Sequence, residues 1–207
     1  DIFRPLWWLI LNGPILTFRP SKSGKAYQKI WDKDNHGSPL RKFTINQTSK
    51  LKKIFESYKN ISIEYAMRYG TPEIEKTLNK MTKKGCSKIL LVPLYPQYAA
   101  STSATVKDEV FKWMLKQRWQ PDLRTIAPWF DNHNYIKALA ETVKKNIINK
   151  NKLDKLIVSF HGIPKRYFMA GDPYHCHCIK SARLLKEELK WPDDKILVTF
   201  QSRFGPE

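Results

Sequence analysis

Apolar runs alternate along the chain with segments in which apolar residues recur at helical spacing. The runs are short and bounded by Gly, Pro or charged residues, as is typical of strands, and they cover 61–68, 87–94, 123–128, 153–160 and 195–200. The segments between them carry apolar stripes that predict helices from Thr71 to about Lys84, over 104–115, over 135–147 and from about His175 to Lys190. The pattern therefore predicts strands and helices in alternation.

Two details of this pattern bear on the local structure. Thr71, Pro72 and Glu73 predict a helix start with a capping residue and a proline at the first helical position, and Gly85 predicts the end of that helix. The run at 87–94 shows no useful alternation of polar and apolar positions, which is typical of a strand covered on both faces.

Strands that alternate with helices favour right-handed crossovers and a parallel sheet. We predict an α/β fold with two Rossmann-like halves, each a parallel sheet flanked by helices, with a boundary near Pro121–Pro128. The N-terminal half then covers 1–122 and the C-terminal half 123–207. No Gly-x-Gly-x-x-Gly sequence and no phosphate loop follows a predicted strand, so this fold class does not imply a nucleotide cofactor.

One histidine stands just past the predicted strand at 153–160. His161 lies in Ser159-Phe160-His161-Gly162-Ile163-Pro164, where Gly162 and Pro164 favour a sharp loop instead of a longer strand. In an open α/β sheet, ligands bind beyond the carboxyl ends of the strands. A histidine there is well positioned to take a proton or hold a metal ion, although a histidine after a strand is more often structural.

Four motifs, in order along the chain, carry a family resemblance. They are Met67-Arg68-Tyr69-Gly70; Pro93-Leu94-Tyr95-Pro96-Gln97-Tyr98 with Ser101-Thr102-Ser103; Ser159 to Pro164 with Gly171-Asp172-Pro173-Tyr174-His175-Cys176; and Thr199-Phe200-Gln201-Ser202-Arg203-Phe204-Gly205-Pro206. Together they resemble the ferrochelatases, lyases that form nitrogen–metal bonds by inserting iron into porphyrin. The residues of these motifs are most similar to those of proteobacterial members.

The resemblance implies an activity and a central residue. Ferrous iron and protoporphyrin IX would give protohaem and two protons, with His161 as the catalytic residue and candidate metal ligand. Whether His161 accepts a proton or binds iron stays open, since a neutral imidazole can do either. The family pairs this histidine with a glutamate on a later helix, beyond Glu207. Compared with a whole ferrochelatase, we expect a fragment that lacks the opening strand and the last third.

The resemblance also implies substrate-binding residues in the first half. Arg68 and Tyr69 end a predicted strand and would face the same crevice as His161, where the arginine fork suits a carboxylate; a surface salt bridge is the alternative. Tyr95 would line the pocket, or else pack the loop. Ser101 would hydrogen-bond a propionate, or else cap the following helix.

The segment 4–31 is rich in Trp, Leu and Ile and then in basic residues. It resembles the family's pocket lip, an apolar flap with basic residues near the propionates, and this implies Tyr27 and Arg19 as substrate contacts. Such a lip would also lie in a membrane interface, where Trp is favoured and Lys meets acidic lipid. An ordinary buried helix is the alternative interpretation of the same composition.

The charge is strongly positive, with 37 Lys and Arg against 19 Asp and Glu and a formal net charge of +18. Such an excess suggests nucleic acid or an anionic membrane as a partner. No Arg-rich run or RNA-binding signature is present, so no nucleic-acid partner is expected. A solvated basic surface is one interpretation, and attraction to acidic lipid or to porphyrin carboxylates is the other.

Three cysteines do not make a disulfide framework, and a reducing cytoplasm is the default compartment. We expect a cytoplasmic protein, with peripheral contact to the inner membrane as the extension of the lip hypothesis. The sequence His175-Cys176-His177-Cys178 lacks the second separated pair of a zinc site. A [2Fe–2S] cluster takes four cysteines, so none is expected, and no cofactor is required beyond iron as substrate.

Two other functions remain open at this level. A non-catalytic haem- or metal-binding protein could use the same crevice, with the 175–178 segment as its ligand site. A chelatase acting on coproporphyrin would share every motif.

Overall fold

The computed structural model describes residues 3–31, 37–147 and 153–202, apart from the side chains of Arg4, Pro14, Phe18, Arg19 and Lys22. The predictions that concern Arg203–Pro206 therefore lie outside the described residues. The chain divides into two compact units, Asp1–Ala66 and Met67–Glu207. The predicted division into halves at residue 122 stays a prediction.

The first unit is helical. Helix α1 (Arg4–Ile10) continues through a π-helical turn (Leu11–Ile15) into α2 (Leu16–Gln28), and α3 covers Pro39–Ile54. The π-helical turn holds Pro14, which has no amide N–H to give and disrupts a regular helix interior. In the described part of the chain, no helix combines the length and apolar character needed to cross a membrane.

Helix α3 begins with a proline in its first turn, where the missing N–H costs nothing. Its inner face is unusual because it is formed partly by threonines. Thr44 and Thr48 are buried, and their hydroxyls donate to the carbonyls of Leu40 and Thr44 one turn earlier. The sequence pattern did not predict this helix, because its buried positions are polar residue types.

The second unit opens with a helix–strand–helix–strand succession: α4 (Ile74–Lys83), β1 (Lys88–Leu91), α5 (Thr105–Leu115) and β2 (Asp122–Thr125). Strands β1 and β2 pair in parallel, with Ile89 opposite Leu123. The helices pack on one face of this pair around a core of Leu78, Ile89, Val110 and Trp113. Trp113 is also tied by its indole N–H, which donates to Asn79 Oδ1 at 2.8 Å.

The rest of the second unit repeats this design. It contains α6 (His133–Asn146), β3 (Leu156–His161), α7 (Lys165–Met169), α8 (Tyr174–Leu189) and β4 (Ile196–Gln201). Strands β3 and β4 pair in parallel over six residues, from Leu156 opposite Ile196 to His161 opposite Gln201. Ala140 of α6 and Leu185 and Leu189 of α8 form the adjoining core. The predicted α/β class, with parallel strands flanked by helices, is confirmed.

Three local predictions are wrong. The run at 61–68 is not a strand, because no described strand lies beside it and its one ladder contact is an isolated bridge from Met67 to Glu73. Helix α4 starts at Ile74 with Glu73 at its N-cap, and Pro72 follows a cis peptide bond outside the helix. Strand β1 is covered on one face only, since Ile89 is buried while Leu90 is 62% exposed.

Trp113 provides a test of the first core. Trp113→Ala removes a side chain that is 1% exposed, together with its hydrogen bond to Asn79. Large-to-small changes of this kind cost about 3–5 kcal/mol. We expect a marked drop in the urea midpoint of unfolding of the full-length protein. Trp119→Ala is the matched control: Trp119 is 60% exposed and should cost under about 0.5 kcal/mol. Equal shifts for the two variants would contradict this core assignment.

Candidate functional site

His161 is the last residue of β3, and its side chain shares the exposed face of the strand with Ile157 and Ser159. Side chains alternate between the two faces of a strand, and Leu156, Val158 and Phe160 on the opposite face are half-buried. The ring Nδ1 lies 2.8 Å from the carbonyl oxygen of Gly162. Since a carbonyl can only accept, Nδ1 carries the proton, and the lone pair of the neutral ring lies on Nε2.

Gly162 fixes the chain path directly after His161. Its amide donates to the carbonyl of Gln201 at 2.7 Å, which closes the end of the β3–β4 pair. A Cβ atom on residue 162 would lie 3.1 Å from that same carbonyl oxygen. A larger residue would therefore push the two strand ends apart and shift the neighbouring histidine.

The loop from Tyr95 to Tyr98, called the tyrosine loop below, follows β1 at the carboxyl end of the other strand pair. The indole N–H of Trp129 donates to the carbonyl of Pro93, and the backbone N–H of Trp129 donates to the carbonyl of Pro96, both at 3.2 Å. Tyr95 is 42% exposed and Tyr98 is half-buried. Both line a shallow depression with Ser103, Lys107 and Trp129 among its other walls.

The N-terminal part of α8 and the residues before it hold this loop from the opposite strand pair. Asp172 Oδ2 accepts the amide of Ala100 at 2.8 Å, and its Oδ1 accepts the amide of Tyr174 at 3.0 Å. His177 Nδ1 accepts the amide of Tyr98 at 3.2 Å. The side-chain amide of Gln97 donates to Ser181 Oγ at 2.9 Å, and Ser181 in turn donates to the carbonyl of Phe130 at 2.8 Å. These contacts join the tyrosine loop and Ala100 to α8 and the residues just before it.

His177 lies flat against an aromatic ring. Its imidazole stacks on Phe130 with ring centroids 3.7 Å apart and an interplanar angle of 12°. Burial lowers the pKa of His177, while the carboxylates of Asp131 and Asp172 act in the opposite direction and Lys180 acts with burial. Lys180 itself binds Asp131 at 2.7 Å. The neutral ring is the form that can accept the Tyr98 amide.

The four residues 175–178 do not converge. Successive helical residues point about 100° apart, so neighbours along α8 face different surroundings. His175 stacks on Phe200 at 5.1 Å, Cys176 is exposed, and Cys178 is fully buried. Burial raises the pKa of Cys178 to about 11, so its sulfur is a thiol at neutral pH.

Tyr174 connects this helix to the strand that carries His161. Burial and the neighbouring Cys178 raise the pKa of Tyr174 to about 12, and a hydrogen bond from the backbone of His161 opposes that shift. Within 3–31, 37–147 and 153–202, no three His, Cys, Asp or Glu side chains come together as a group that could hold a metal ion. His161 is therefore the metal-ligating candidate that the sequence argument leaves, and it stands at an open sheet face.

Arg68 and Tyr69 follow an isolated bridge and not a strand end, so the strand argument that placed them on the crevice fails. The guanidinium of Arg68 lies 3.4 Å from Glu109 Oε1 of α5 and 4.6 Å from the centre of the Tyr69 ring. Its Nε is buried without a hydrogen-bond partner among the described residues. Tyr69 is 75% exposed. A hydrogen bond from Lys112, with smaller contributions from nearby cations that include Arg68, lowers the pKa of Glu109 despite some desolvation.

The remaining predicted residues are spread over both units. Ser101 is exposed within a π-helical turn, Ala100–Ala104, whose N-cap is Ala99, so Ser101 does not cap the helix. Tyr27 is 59% exposed on α2 of the first unit. Arg19 lies on the same helix, but the prediction for its side chain falls outside the described residues. In the second unit, Tyr95 and His161 follow parallel strands and are connected through α8.

The sequence argument missed the residues that make this connection. Trp129, Phe130 and Ser181 carried no motif of their own, and His177 attracted attention only as a candidate ligand. Asp172 could have been found, because an aspartate two residues before a helix start commonly accepts a backbone amide there. Its second bond, to Ala100, spans 72 positions and has no sequence signal.

Comparison with known proteins bears on the family and on the fold. The family model for ferrochelatase matches residues 1–207. The ferrochelatase of Allorhizobium ampelinum is 52% identical over 205 residues, which are 99% of this chain and 60% of that protein. The ferrochelatase of Rhizobium meliloti is 50% identical over 205 residues, again 99% of this chain and 60% of that protein. The ferrochelatase of Marinobacter nauticus is 44% identical over 209 residues, 56% of its length. The chain thus spans about 60% of the length of the first two relatives.

A solved structure, SirB from Bacillus subtilis with Fe3+, superposes with a TM-score of 0.57 at 18% identity, over 83% of this chain and 64% of SirB. That likeness shows the fold alone, an α/β arrangement shared with SirB. The sequence matches are more specific. The chain belongs to the ferrochelatase family, as its four motifs indicated.

Proposed function

We propose that the protein of which this chain forms part is a ferrochelatase that inserts ferrous iron into protoporphyrin IX. The observation that carries the proposal is the position of His161, exposed at the carboxyl end of β3 with its proton-bearing Nδ1 on the Gly162 carbonyl. Membership of the family supplies the reaction. Ferrous iron enters as a substrate, and the products are protohaem and two protons.

The chemistry needs an acceptor for the pyrrole protons and an approach for iron from one side of the ring. With Nδ1 held by Gly162, the Nε2 atom of His161 presents the lone pair of a neutral imidazole. Nε2 is then the atom that takes a pyrrole proton or binds the entering iron, and both roles need the same neutral form. Gly162 contributes by keeping the ring at the strand end.

The tyrosine loop is the proposed porphyrin contact in the first strand pair. Tyr95 offers an exposed ring edge and hydroxyl at the shallow depression beyond β1, and Ser101 stands exposed in the following turn. In this proposal Tyr95 lines the macrocycle and Ser101 hydrogen-bonds a propionate. Both belong to the segment that α8 holds in place.

Arg68 and Tyr69 are proposed as a carboxylate-binding pair. Arg68 has five N–H donors, and the 3.4 Å contact with Glu109 occupies one side of its guanidinium. Lys112 donates to the same carboxylate at 2.9 Å, so Glu109 does not depend on Arg68 alone for neutralisation. A porphyrin propionate could therefore bind Arg68 without leaving Glu109 uncompensated.

We propose that no cofactor is required and that no [2Fe–2S] cluster is bound through this chain. The dispersal of Cys176 and Cys178 to exposed and buried surroundings supports this. In the full-length protein, the double variant Cys176→Ser, Cys178→Ala should keep its iron-insertion rate and its visible spectrum. Alanine is used at 178 because a buried serine hydroxyl would need a partner. Parallel loss of an iron–sulfur absorbance band and of activity would contradict the proposal.

A non-catalytic haem- or metal-binding protein is the second function, and coproporphyrin is the second substrate. Porphyrin fluorescence quenching measures binding, and an iron-insertion assay on the full-length chain measures turnover. Binding without insertion would favour the non-catalytic function. Comparison of kcat/KM for protoporphyrin and coproporphyrin decides between the two substrates.

The role of His161 has a direct test. His161→Ala in the full-length protein should lower the insertion rate by about two to four orders of magnitude, the usual cost of losing a general base. Porphyrin binding and the urea midpoint should change little, because the side chain is exposed. His133→Ala, another exposed histidine at the first turn of α6, is the matched control. Near-normal turnover in His161→Ala would exclude the assignment.

The segment 4–31 is proposed as the porphyrin lip, with peripheral contact to an acidic membrane surface. Helices α1 and α2 expose large apolar side chains, including Trp8 at 62%, Leu9 at 61% and Leu16 at 52%. Tyr27 and Lys25 are exposed on α2. Tyr27 and Arg19 are the proposed porphyrin contacts of this lip, which the family resemblance implies.

Two variants test the lip. Trp7→Ser with Trp8→Ser should raise the KM for porphyrin more than the KM for iron. Lys22→Glu with Lys25→Glu should weaken co-sedimentation with acidic vesicles, since each basic residue near an anionic surface contributes about 1 kcal/mol. The remaining binding should depend less on salt. Lys137→Glu with Lys144→Glu on α6 is the charge-matched control, as both lysines are exposed on the second unit. If neither quantity moves in folded protein, the lip proposal is wrong.

A further inference from the structure

His177 occupies a position that the reaction itself does not explain. It is not at a strand end, it is half-buried, and its ring stacks on Phe130 at 3.7 Å. Its Nδ1 accepts the backbone amide of Tyr98, a residue 79 positions earlier in the chain. A backbone N–H can only donate, so this ring must be neutral at Nδ1 for the contact to exist.

Other polar groups in and around the tyrosine loop are already hydrogen-bonded. Pro93 and Pro96 carry no amide N–H, and their carbonyls are taken by Trp129. The amide of Ala100 is taken by Asp172, and the side chain of Gln97 by Ser181. The Tyr98 amide is thus the backbone donor through which α8 itself binds the end of the tyrosine loop, two residues before the Ala100–Ala104 turn.

We propose that His177 is a positioning residue, which holds the tyrosine loop through a neutral imidazole that accepts the Tyr98 amide at Nδ1 while Phe130 fixes the plane of the ring. The loop then presents Tyr95 at a set distance from the strand end that carries His161. The effect on porphyrin binding rests on the proposed function, whereas the contact between His177 and the tyrosine loop does not.

The hydrogen bond from the Tyr98 amide to His177 depends on pH and is lost on acidification. The charged groups facing the ring are Asp131 from the loop before α6, Asp172 from the loop before α8, and Lys180 from α8 itself. The two carboxylates favour the protonated ring, Lys180 disfavours it, and desolvation prevails, so the neutral form is the folded form. The contact is therefore complete above about pH 6.5 and is lost as the pH falls through the lowered pKa of His177.

Three variants of the full-length protein separate the hydrogen bond from the packing. His177→Phe keeps a flat ring against Phe130 and removes the acceptor. His177→Asn removes the ring and keeps an acceptor, since Oδ1 of asparagine lies where Nδ1 of histidine would be. His175→Phe is the control, because His175 stacks on Phe200 and makes no bond to the loop.

The measurement is hydrogen–deuterium exchange of peptides covering 92–100, with the KM for protoporphyrin measured from pH 5.5 to 8. In His177→Phe we expect the Tyr98 amide to exchange about tenfold faster, as loss of one hydrogen bond implies. His177→Asn should restore most of the protection, and His175→Phe should match the wild type. The wild-type KM should rise on acidification, and the KM of His177→Asn should rise less.

Each other outcome has a defined meaning. Wild-type exchange in His177→Phe overturns the proposal. Equally fast exchange in His177→Phe and His177→Asn also overturns it, because an acceptor restored at residue 177 would then give the loop no protection. If His177→Phe loosens the whole chain, peptides of α6 and β3 reveal it, and His177→Asn against wild type carries the test. Faster local exchange with an unchanged KM for protoporphyrin supports the role of His177 in positioning the tyrosine loop. The same result would exclude the tyrosine loop from the proposed porphyrin site.

Discussion

The second unit depends on one set of contacts: the hydrogen bonds between the start of α8 and the tyrosine loop. Asp172, His177 and Ser181 accept from three successive points between Gln97 and Ala100. They connect two parallel strand pairs that form separate two-stranded sheets, each with its own helices. With them, the carboxyl ends of β1 and β3 belong to one structure. A site that needs a tyrosine from one pair and a histidine from the other can then be built with fixed geometry.

The same helix also separates the side chains of a cysteine- and histidine-rich segment. The adjacency of residues 175–178 suggested ligands, but a helix sends four successive side chains in four directions. In α8 those directions are an aromatic cluster, solvent, the tyrosine loop and the core. The segment serves packing and hydrogen bonding, and Cys178 behaves as a small apolar side chain whose thiol pKa is raised by burial.

Much of the fold could be predicted from the chain, for reasons that particular residues make clear. The stripe through Val110 and Met114 predicted α5, and the apolar run before His161 predicted β3, because burial on one side leaves a periodic trace. The apolar run at 61–68 predicts a strand wrongly, because a strand needs a paired neighbour and the sequence does not reveal one. Helix α3 buries threonines, and so its inner face has no apolar stripe. The contacts of Asp172 and His177 bridge more than 70 positions and follow from the assembled fold alone.

Helices cover only one face of each strand pair, and this affects how readily copies of the chain associate. Leu90 on β1, Ile157 on β3 and Leu197 on β4 are each more than half exposed, and every strand of a two-stranded sheet has one unpaired edge among the described elements. Flat apolar faces with open edges are templates for contact between copies of a chain. The net charge of +18 opposes such contact by mutual repulsion. Because the Debye length shrinks to about 3 Å at 1 M ionic strength, these residues prepared alone should stay dispersed in dilute buffer and self-associate in concentrated salt.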